Sequence, residues 1–263
     1  MNPELSYASQ SENVTPEPRP QNFFNRLIGV WFSPGETFAE IGRAPRVLVP
    51  MIVLMVMGCV MGYLMIERIG VRNFFNAQFE QAVASGRMSQ EDADKQLDAM
   101  TTGTVAAFTK YSFPLVGLIQ YPAMALFLVG ICKLITMLIG GDNQFKPLFS
   151  VTLYTLLAVS VISSVLLLVL LYLKSPEEID VNNLIGSNVA ALLSLAFGKD
   201  GLPKFVMAFA RWIDLFSIWM ITLLAIGYAA VSKKVKASTM GIALGCIYVL
   251  VALIAAGWAA MRG

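Results

Sequence analysis

The sequence predicts an all-α fold, a polytopic membrane helix bundle with five transmembrane helices. Hydrophobic residues make up 57% of the chain and charged residues only 14%, whereas a soluble domain carries about 25% charged residues. A hydrocarbon core ~30 Å thick is crossed by ~20 helical residues. Five stretches reach or approach that length, and Lys133 is their only charge: Leu48–Ile66, Phe113–Ile139, Leu148–Leu173, Leu215–Val231 and Ala237–Met261.

The fourth transmembrane helix is expected to begin before its apolar stretch. Pro203 is suited to the first turn of a helix, so this helix is predicted over 206–231. The membrane domain as a whole is predicted over 48–262.

Missing residue types exclude several functions. The chain has no histidine, which rules out a Ser-His or Cys-His nucleophile pair and any His-ligated metal centre. The sequence has neither a phosphate-binding glycine loop nor a metal-ligand motif, so no cofactor and no metal is expected. The net charge of +2 gives no reason to expect nucleic acid as a partner.

The N-terminal region is predicted to be a polar tail followed by two short helices. Residues 1–20 are rich in Pro, Ser and Glu, a composition typical of disorder. Phe24, Leu27, Ile28 and Trp31 recur at i, i+3, i+4 and i+7 and give one apolar face to the first helix.

The second short helix is predicted to start at Ser33-Pro34-Gly35-Glu36, with Ser33 as its cap. Phe38 and Ile41 continue it until Gly42 and Pro45. Together the two helices make 21–47 a cytoplasmic interfacial segment, with Phe24, Trp31 and Phe38 as anchors. Two arrangements are open: the helices lie flat at the headgroups, or their apolar faces pack on the bundle.

Polar loops on the other side of the bilayer connect the membrane helices. Residues 67–112 predict an external helical hairpin, with helices over Asn73–Val83 and Ser89–Met100 and a capping pair at Ser89 and Asp92. Leu184–Phe197 is apolar but too short to cross a bilayer, so it is expected at the interface.

The distribution of basic residues predicts the orientation. Short links and the N-terminal segment hold a cluster of basic residues, namely Arg26, Arg43, Arg46, Lys146, Lys233, Lys234 and Lys236. The positive-inside rule places that side in the cytoplasm and the C-terminus outside. Trp258 and Arg262 would anchor the outer interface. The chain is thus expected in a cell membrane, the inner membrane of a bacterium or an endomembrane of a eukaryote.

Small residues four apart are candidates for helix packing. Gly58 and Gly62 in the first span, and Gly241 and Gly245 in the fifth, would let helix backbones approach closely. The pairs are either a dimer seam or packing within one chain, and the second alternative is favoured.

Three charged residues at membrane depth are candidates for a polar site. Arg211 and Asp214 share one face of the predicted fourth helix and are interpreted as a structural ion pair or a substrate site. Lys133 can extend its amino group to the headgroups. The alternative interpretation of Lys133 is a catalytic pair with a serine of the third span. The candidate serines are Ser160, Ser163 and Ser164.

Several local patterns resemble one membrane protein family. Before the first span stand Phe24-Asn25-Arg26-Leu27-Ile28-Gly29-Val30, Ser33-Pro34-Gly35-Glu36-Thr37-Phe38 and Ile41. Further along stand the Gly140-Gly141 turn with Phe145, Phe149 and Tyr154, then Asp214-Leu215-Phe216 with Trp219, and the Lys233–Lys236 link. In these features the chain resembles the Yip family, the Ypt/Rab-interacting membrane proteins, in a compact bacterial form.

The resemblance implies a cytoplasmic N-terminus, five helices and a non-enzymatic membrane role. Eukaryotic members bind lipidated Rab-type GTPases. This chain shows no clear counterpart of their acidic Asp-Leu-Tyr-Gly-Pro element, so GTPase binding is doubtful.

The leading hypothesis is a non-catalytic integral membrane protein that organises a membrane, acts in trafficking or recruits partners. Its expected partners are the lipid bilayer, further copies of itself and other membrane proteins. The main rival is a transporter or permease subunit that uses Arg211 and Asp214. A third hypothesis, an intramembrane enzyme, requires Lys133.

Overall fold

The computed structural model describes residues 21–84, 86–141, 144–175, 179–181, 183–198 and 201–261. The predicted tail over 1–20 and Arg262 lie outside these residues. In the described part of the chain the regular elements are helices, and the only β-type pairing is an isolated bridge between Asn188 and Asp214. The all-α, polytopic bundle is confirmed.

Twelve α-helices follow one another along the described chain. They are α1 Phe23–Phe32, α2 Pro34–Arg43, α3 Leu48–Ile69, α4 Val71–Ala84, α5 Gln90–Thr101, α6 Gly103–Ser112, α7 Val116–Leu138, α8 Phe145–Leu173, α9 Val189–Phe197, α10 Lys204–Trp212, α11 Leu215–Val231 and α12 Ala237–Met261.

Four apolar helical segments are long enough to cross a bilayer. These are α3, α8, α12 and the segment Gly103–Leu138, in which a 3₁₀ turn at Phe113–Leu115 joins α6 to α7. The second transmembrane helix therefore extends ten residues beyond its predicted start at Phe113. The fifth apolar helix, α11, has 17 residues, the lower limit for a crossing.

The predicted fourth helix over 206–231 is wrong, because the chain breaks between α10 and α11. Asp214 has extended backbone angles (φ −121°, ψ 139°) and caps α11, accepting a hydrogen bond from the Ser217 amide. An N-cap residue has non-helical angles by definition, so a helix cannot run through it.

The predicted hairpin of two helices is present, and its position outside the bilayer stays a prediction. Helices α4 and α5 pack against each other, and Ser89 caps α5 by accepting a hydrogen bond from the Asp92 amide at 3.1 Å. The structure adds α6, which continues from α5 into the second crossing. An ion pair between Lys110 and Glu67 (2.8 Å) joins α6 to the end of α3.

Helix α8 is the centre of the bundle over its first half. From Ser150 to Val159 its side chains are buried by contacts with α1, α2, α3, α7 and α11. Its second half is more exposed, as at Val165 and Leu173, which suits contact with lipid tails.

Two hydrogen bonds connect α8 with residues near the two ends of α3, and the distance between them along α8 matches the thickness of a bilayer. The Ser150 hydroxyl donates to the Arg46 carbonyl before α3 (3.0 Å), and Arg68 Nε near the end of α3 donates to the Leu171 carbonyl (2.9 Å). From Ser150 to Leu171 the helix rises about 31 Å, close to a hydrocarbon core of ~30 Å. We use the Ser150 level and the Leu171 level as the two boundaries of the hydrocarbon.

The two ends of the bundle differ in charge. We call the end beyond Ser150 the basic end, because six exposed basic residues lie there, namely Arg43, Arg46, Lys146, Lys233, Lys234 and Lys236. The opposite end, which we call the far end, carries α4, α5 and the α9–α10 segment. The first described residues lie at the basic end, and α12 ends at the far end.

Candidate functional site at the basic end

Helices α1 and α2 form a helical hairpin at the basic end. Asn22 caps α1, its side-chain oxygen accepting from the Asn25 amide at 2.8 Å. Pro34 occupies the first turn of α2, and Glu36 lies near its N-terminus, where the helix dipole favours a carboxylate. Ser33 occupies the predicted cap position, but its hydroxyl makes no capping hydrogen bond within the described chain.

The two helices of the hairpin touch at Gly29. A Cβ atom added at Gly29 would collide with the Thr37 side chain, so only glycine permits this approach. Thr37 is itself buried. The hairpin is therefore a packed unit rather than two independent surface helices.

The hairpin packs on α8 and α11, which is the second of the two arrangements left open by the sequence. Phe38 is fully buried and lies against Gly227 and close to Val151. Its assignment as an interfacial anchor is therefore wrong, because a side chain enclosed by three helices cannot contact headgroups. Four residues on, Gly42 lies against Val231, so α2 and α11 run in parallel.

The inner side of α1 reaches into the bundle along α8. The Phe23 ring lies 6.1 Å from the Tyr154 ring, and Trp31 Nε1 donates to the Ala158 carbonyl at 3.0 Å. Tyr154 and Ala158 lie about 6 Å and 12 Å from the Ser150 level towards the Leu171 level, at 1.5 Å per residue. The hairpin thus stands beside α8 at a depth that corresponds to one leaflet.

A buried ion pair fastens the hairpin internally. Arg26 is fully buried, and its Nη2 donates to Glu40 Oε1 and to the Ala44 carbonyl, both at 2.8 Å. Arg26 and Glu40 thus form a salt bridge whose side chains are only 0% and 13% exposed.

Several polar atoms around this pair have no hydrogen-bond partner within the described chain, namely Arg26 Nε, Arg26 Nη1, Glu40 Oε2 and Tyr154 OH. The Arg26 guanidinium also lies 5.8 Å from the centre of the Tyr154 ring, within the range of a cation–π contact. An ion pair in such surroundings is costly to break from either side.

The outward face of the hairpin carries both apolar and polar side chains. Phe24 and Phe32, exposed to 70% and 80%, lie with half-exposed Ile28 in one row along α1. Beside the row, a groove of about 410 Å³ between α1 and α2 is lined partly by polar residues, among them Gln21, Asn25, Ser33, Glu36 and Thr37. We call this surface the hairpin groove.

The predicted glycine pair in α3 packs within the chain. A Cβ added at Gly58 would contact Tyr121 and the Gly117 backbone at 2.8–2.9 Å, and one at Gly62 would meet Pro114 at 3.1 Å. Both partners belong to the second crossing. In α12, Gly241 lies at ordinary distance from Ala225 (3.5 Å), and Gly245 has no atom within 4 Å. Of the four candidates, Gly245 alone leaves room for a second helix.

Arg211 and Asp214 do not form the predicted ion pair in the described structure, because the helix break separates them. Both Asp214 carboxylate oxygens accept hydrogen bonds, one from Ser187 Oγ and the other from the amide (2.9 Å) and hydroxyl (3.0 Å) of Ser217. The Val189 amide also donates to the Ile213 carbonyl, and the Leu215 amide to the Ser187 carbonyl. Arg211 is exposed on α10.

The Lys133 side chain lies near the basic end, as expected for a lysine that extends towards headgroups. Its Nζ is 5.7 Å from the centre of the Phe145 ring. Ser160 is fifteen residues further along α8, a rise of about 22 Å. A catalytic pair of Lys133 with Ser160, Ser163 or Ser164 is therefore geometrically excluded. Trp258 is exposed near the end of α12, and its role as an interfacial anchor stays a prediction.

Sequence reasoning did not find the partners that hold the site together. The sequence places Arg26 only among the basic residues that predict the orientation, and its pairing with Glu40 joins residues 14 apart on two helices. The one signal available was an isolated arginine within an apolar helix. Ser187 gave no signal, because its contact with Asp214 spans 27 residues.

Comparison with known proteins identifies one family. The family model described as Yip1 domain matches residues 28–260, which covers α2 to α12 and all but the first turns of α1. No curated protein and no solved structure matches the chain.

Proposed function

Because this chain belongs to the Yip family, a membrane protein family, we propose that it is a non-catalytic protein that organises a membrane by recruiting other membrane proteins. The hairpin groove is the surface that would receive them. The Yip1 match supports a multi-pass membrane protein, and the role of the groove rests on the geometry of α1 and α2.

The observation that carries the proposal is the presence of polar side chains on a face at leaflet depth. Asn25, Ser33 and Glu36 line the groove beside the apolar row of Phe24, Ile28 and Phe32. In lipid these polar groups lack hydrogen-bond partners, which is unfavourable. A transmembrane helix with small and polar residues would satisfy them and cover the aromatic row.

The orientation follows from the charge of the two ends. Six exposed basic residues lie at the basic end, in short links or at the helix ends beside them, and the positive-inside rule places such an end in the cytoplasm. We propose that the hairpin groove opens to the cytoplasmic leaflet and that α12 ends outside. The eukaryotic role in GTPase binding is not part of the proposal.

Site-specific photocrosslinking in cells tests the proposal directly. A photoreactive amino acid is placed in the full chain at Asn25 or at Phe32, in the groove. The matched control is Phe127 on α7, which is 68% exposed but lies outside the hairpin. We expect a discrete crosslinked protein from the two groove positions and none from position 127. Crosslinks to lipid alone from all three positions, or only to a second copy of the chain, would contradict recruitment.

A second candidate, a transporter subunit, is favoured by one observation. Helices interrupted at membrane depth are typical of transporter binding sites, and α10 and α11 are interrupted at Ile213 and Asp214. However, three hydrogen bonds already occupy the Asp214 carboxylate. We therefore propose that Asp214 is structural, and its substitution is considered below.

A further inference from the structure

We propose that a cavity at the basic end binds the phosphate group of an anionic lipid headgroup. The cavity has a volume of about 210 Å³ and lies where the end of α2, the start of α8 and the end of α11 meet. Arg43, Gln144 and Ala230 represent the three helices in its wall. This volume is enough for a phosphate group.

The cavity lies at the level of the headgroups. Gln144 and Leu148, both in its wall, precede Ser150 by six and two residues, or about 9 Å and 3 Å of helix rise. The polar layer of a bilayer extends ~5–8 Å beyond the hydrocarbon on each side. A lipid that packs against the bundle would therefore carry its phosphate to this height.

Arg43 is the side chain suited to hold the phosphate. It is exposed at the cavity, and within the described chain its only side-chain hydrogen bond is a long one, from Nε to the Ala39 carbonyl at 3.4 Å. The two terminal nitrogens are thus available as a fork, which matches the geometry of phosphate oxygens. Glu40, the closest acid along α2, is held by Arg26.

Further basic residues lie at the same end of the bundle as the cavity, outside its wall. Lys146 lies in the first turn of α8, and Gln144 caps that helix without a side-chain hydrogen bond, which leaves the positive end of the helix dipole unopposed. Gly141 lies close to Ser232 and Val235, so the link that carries Lys233, Lys234 and Lys236 adjoins the start of α8.

The C-terminal ends of α2 and α11 weaken the attraction of the cavity for an anion, because their carbonyl groups repel negative charge. Each helix end is equivalent to about half an elementary charge. Arg43 and Lys146 alone carry two full charges, and three further lysines lie in the adjoining link. Among the residues that the structure describes around the cavity, the balance of charge therefore favours an anion.

Lipid binding to the purified full-length protein tests the proposal. Delipidated protein in mild detergent is titrated with phosphatidylglycerol or with phosphatidylcholine, and bound lipid is counted by native mass spectrometry. Arg43→Gln removes the charge in the cavity wall. Lys234→Gln is the matched control, with the same loss of charge at the same end but outside the wall. Ala230→Leu fills the cavity and leaves the charge unchanged.

We expect phosphatidylglycerol to bind in preference to phosphatidylcholine. Arg43→Gln should weaken this binding by about tenfold and Lys234→Gln by less than about threefold, and Ala230→Leu should weaken it as Arg43→Gln does. Equal losses for the two charge variants would overturn the proposal in favour of a diffuse basic surface. Equal binding of the two lipids would overturn it as well, because the negative charge of the headgroup would then make no contribution to binding. Displacement of the lipid by millimolar inorganic phosphate would identify free phosphate as the occupant and overturn the lipid assignment.

Discussion

Besides the hairpin of α4 and α5, the bundle has two pairs of short helices that do not cross it, one at each end, and these two are held in different ways. At the basic end, α1 and α2 bury Val30, Phe38 and Ile41 completely against α8 and α11. At the far end, α9 and α10 share only a small cluster with Ala190, Met207 and Ala210, and Leu195 stays exposed. Packing on α8 and α11 fixes the first pair. In the second pair α10 packs on α12, where the Trp212 ring lies 5.6 Å from the Tyr248 ring and the Tyr248 hydroxyl donates to the Trp212 carbonyl (2.8 Å), and hydrogen bonds at Asp214 add a polar attachment that the first pair does not have.

The depth of the far pair explains why it needs a polar attachment. Tyr228 bonds with Thr152 through their hydroxyls at 2.9 Å, and Leu215 lies thirteen residues, or about 20 Å, before Tyr228. Helix α11 thus begins about 9 Å short of the Leu171 level. The break at Asp214 lies within the leaflet, where every backbone group requires an internal partner.

The comparison predicts that the largest effect comes from the buried ion pair. Arg26→Met or Glu40→Leu leaves one charge buried without its partner and should lower the free energy of unfolding by about 3–5 kcal/mol. The double variant should lose much less, because no charge remains. Thermal unfolding in detergent, followed by tryptophan fluorescence, measures the three variants. Losses that simply add in the double variant would show that the pair does not fasten the hairpin.

A smaller effect is expected from helix packing outside the two pairs. Gly58→Leu forces a side chain against the Gly117 backbone and should cost about 1–3 kcal/mol. Gly245→Leu is the matched control, because no atom lies within 4 Å of a Cβ at that position. The melting temperatures of the two variants are compared to test this expectation. If Gly245→Leu destabilised the protein as much, Gly245 would be a contact between copies.

Loss of the Asp214 cap at the start of α11 should lower the stability only slightly. Asp214→Ala should cost about 1 kcal/mol, typical of an N-cap, and should speed hydrogen exchange in the first turn of α11 and in α9. Asp214→Asn should cost less, since its amide oxygen still accepts a hydrogen bond. Loss of uptake or efflux of a solute in Asp214→Asn, with unchanged protein abundance, would instead support the transporter hypothesis.

The smallest effect is expected from an exposed ion pair in the external hairpin. Lys95 and Glu91 are in contact at 2.6 Å, but both side chains are more than two-thirds exposed. Lys95→Met should change the free energy of unfolding by no more than about 0.5 kcal/mol. A loss comparable to that of Arg26→Met would show that burial is not the reason why the Arg26–Glu40 ion pair contributes more than the Lys95–Glu91 ion pair.

The sequence was sufficient for elements set by local signals. Composition and apolar length predicted α3 from Leu48, the end of α8 at Leu173 and all of α12, because lipid selects for long apolar runs. The Ser89 cap was likewise readable from residues three apart. Each of these predictions depends only on neighbours along the chain.

Elements set by distant contacts could not be predicted. A proline start and apolar residues favoured one helix over 206–231, but Asp214 caps α11 with the help of Ser187, 27 residues away. The apolar face of α2 was visible, yet its burial at Phe38 depends on the space left by Gly227. Periodicity shows that a face is apolar and does not show whether lipid or protein covers it.

The position of the α1–α2 hairpin inside one leaflet is the central claim, and a spin label at the tip of the hairpin measures its depth. Cys59, Cys132 and Cys246 are replaced by alanine, and a nitroxide is attached at Phe32→Cys, with Lys234→Cys as the control in the basic link. In lipid vesicles we expect the label at position 32 to be reached by oxygen and protected from a water-soluble nickel complex, with the reverse at position 234. Equal exposure of the two labels to nickel would show that the hairpin lies outside the hydrocarbon and would contradict the account.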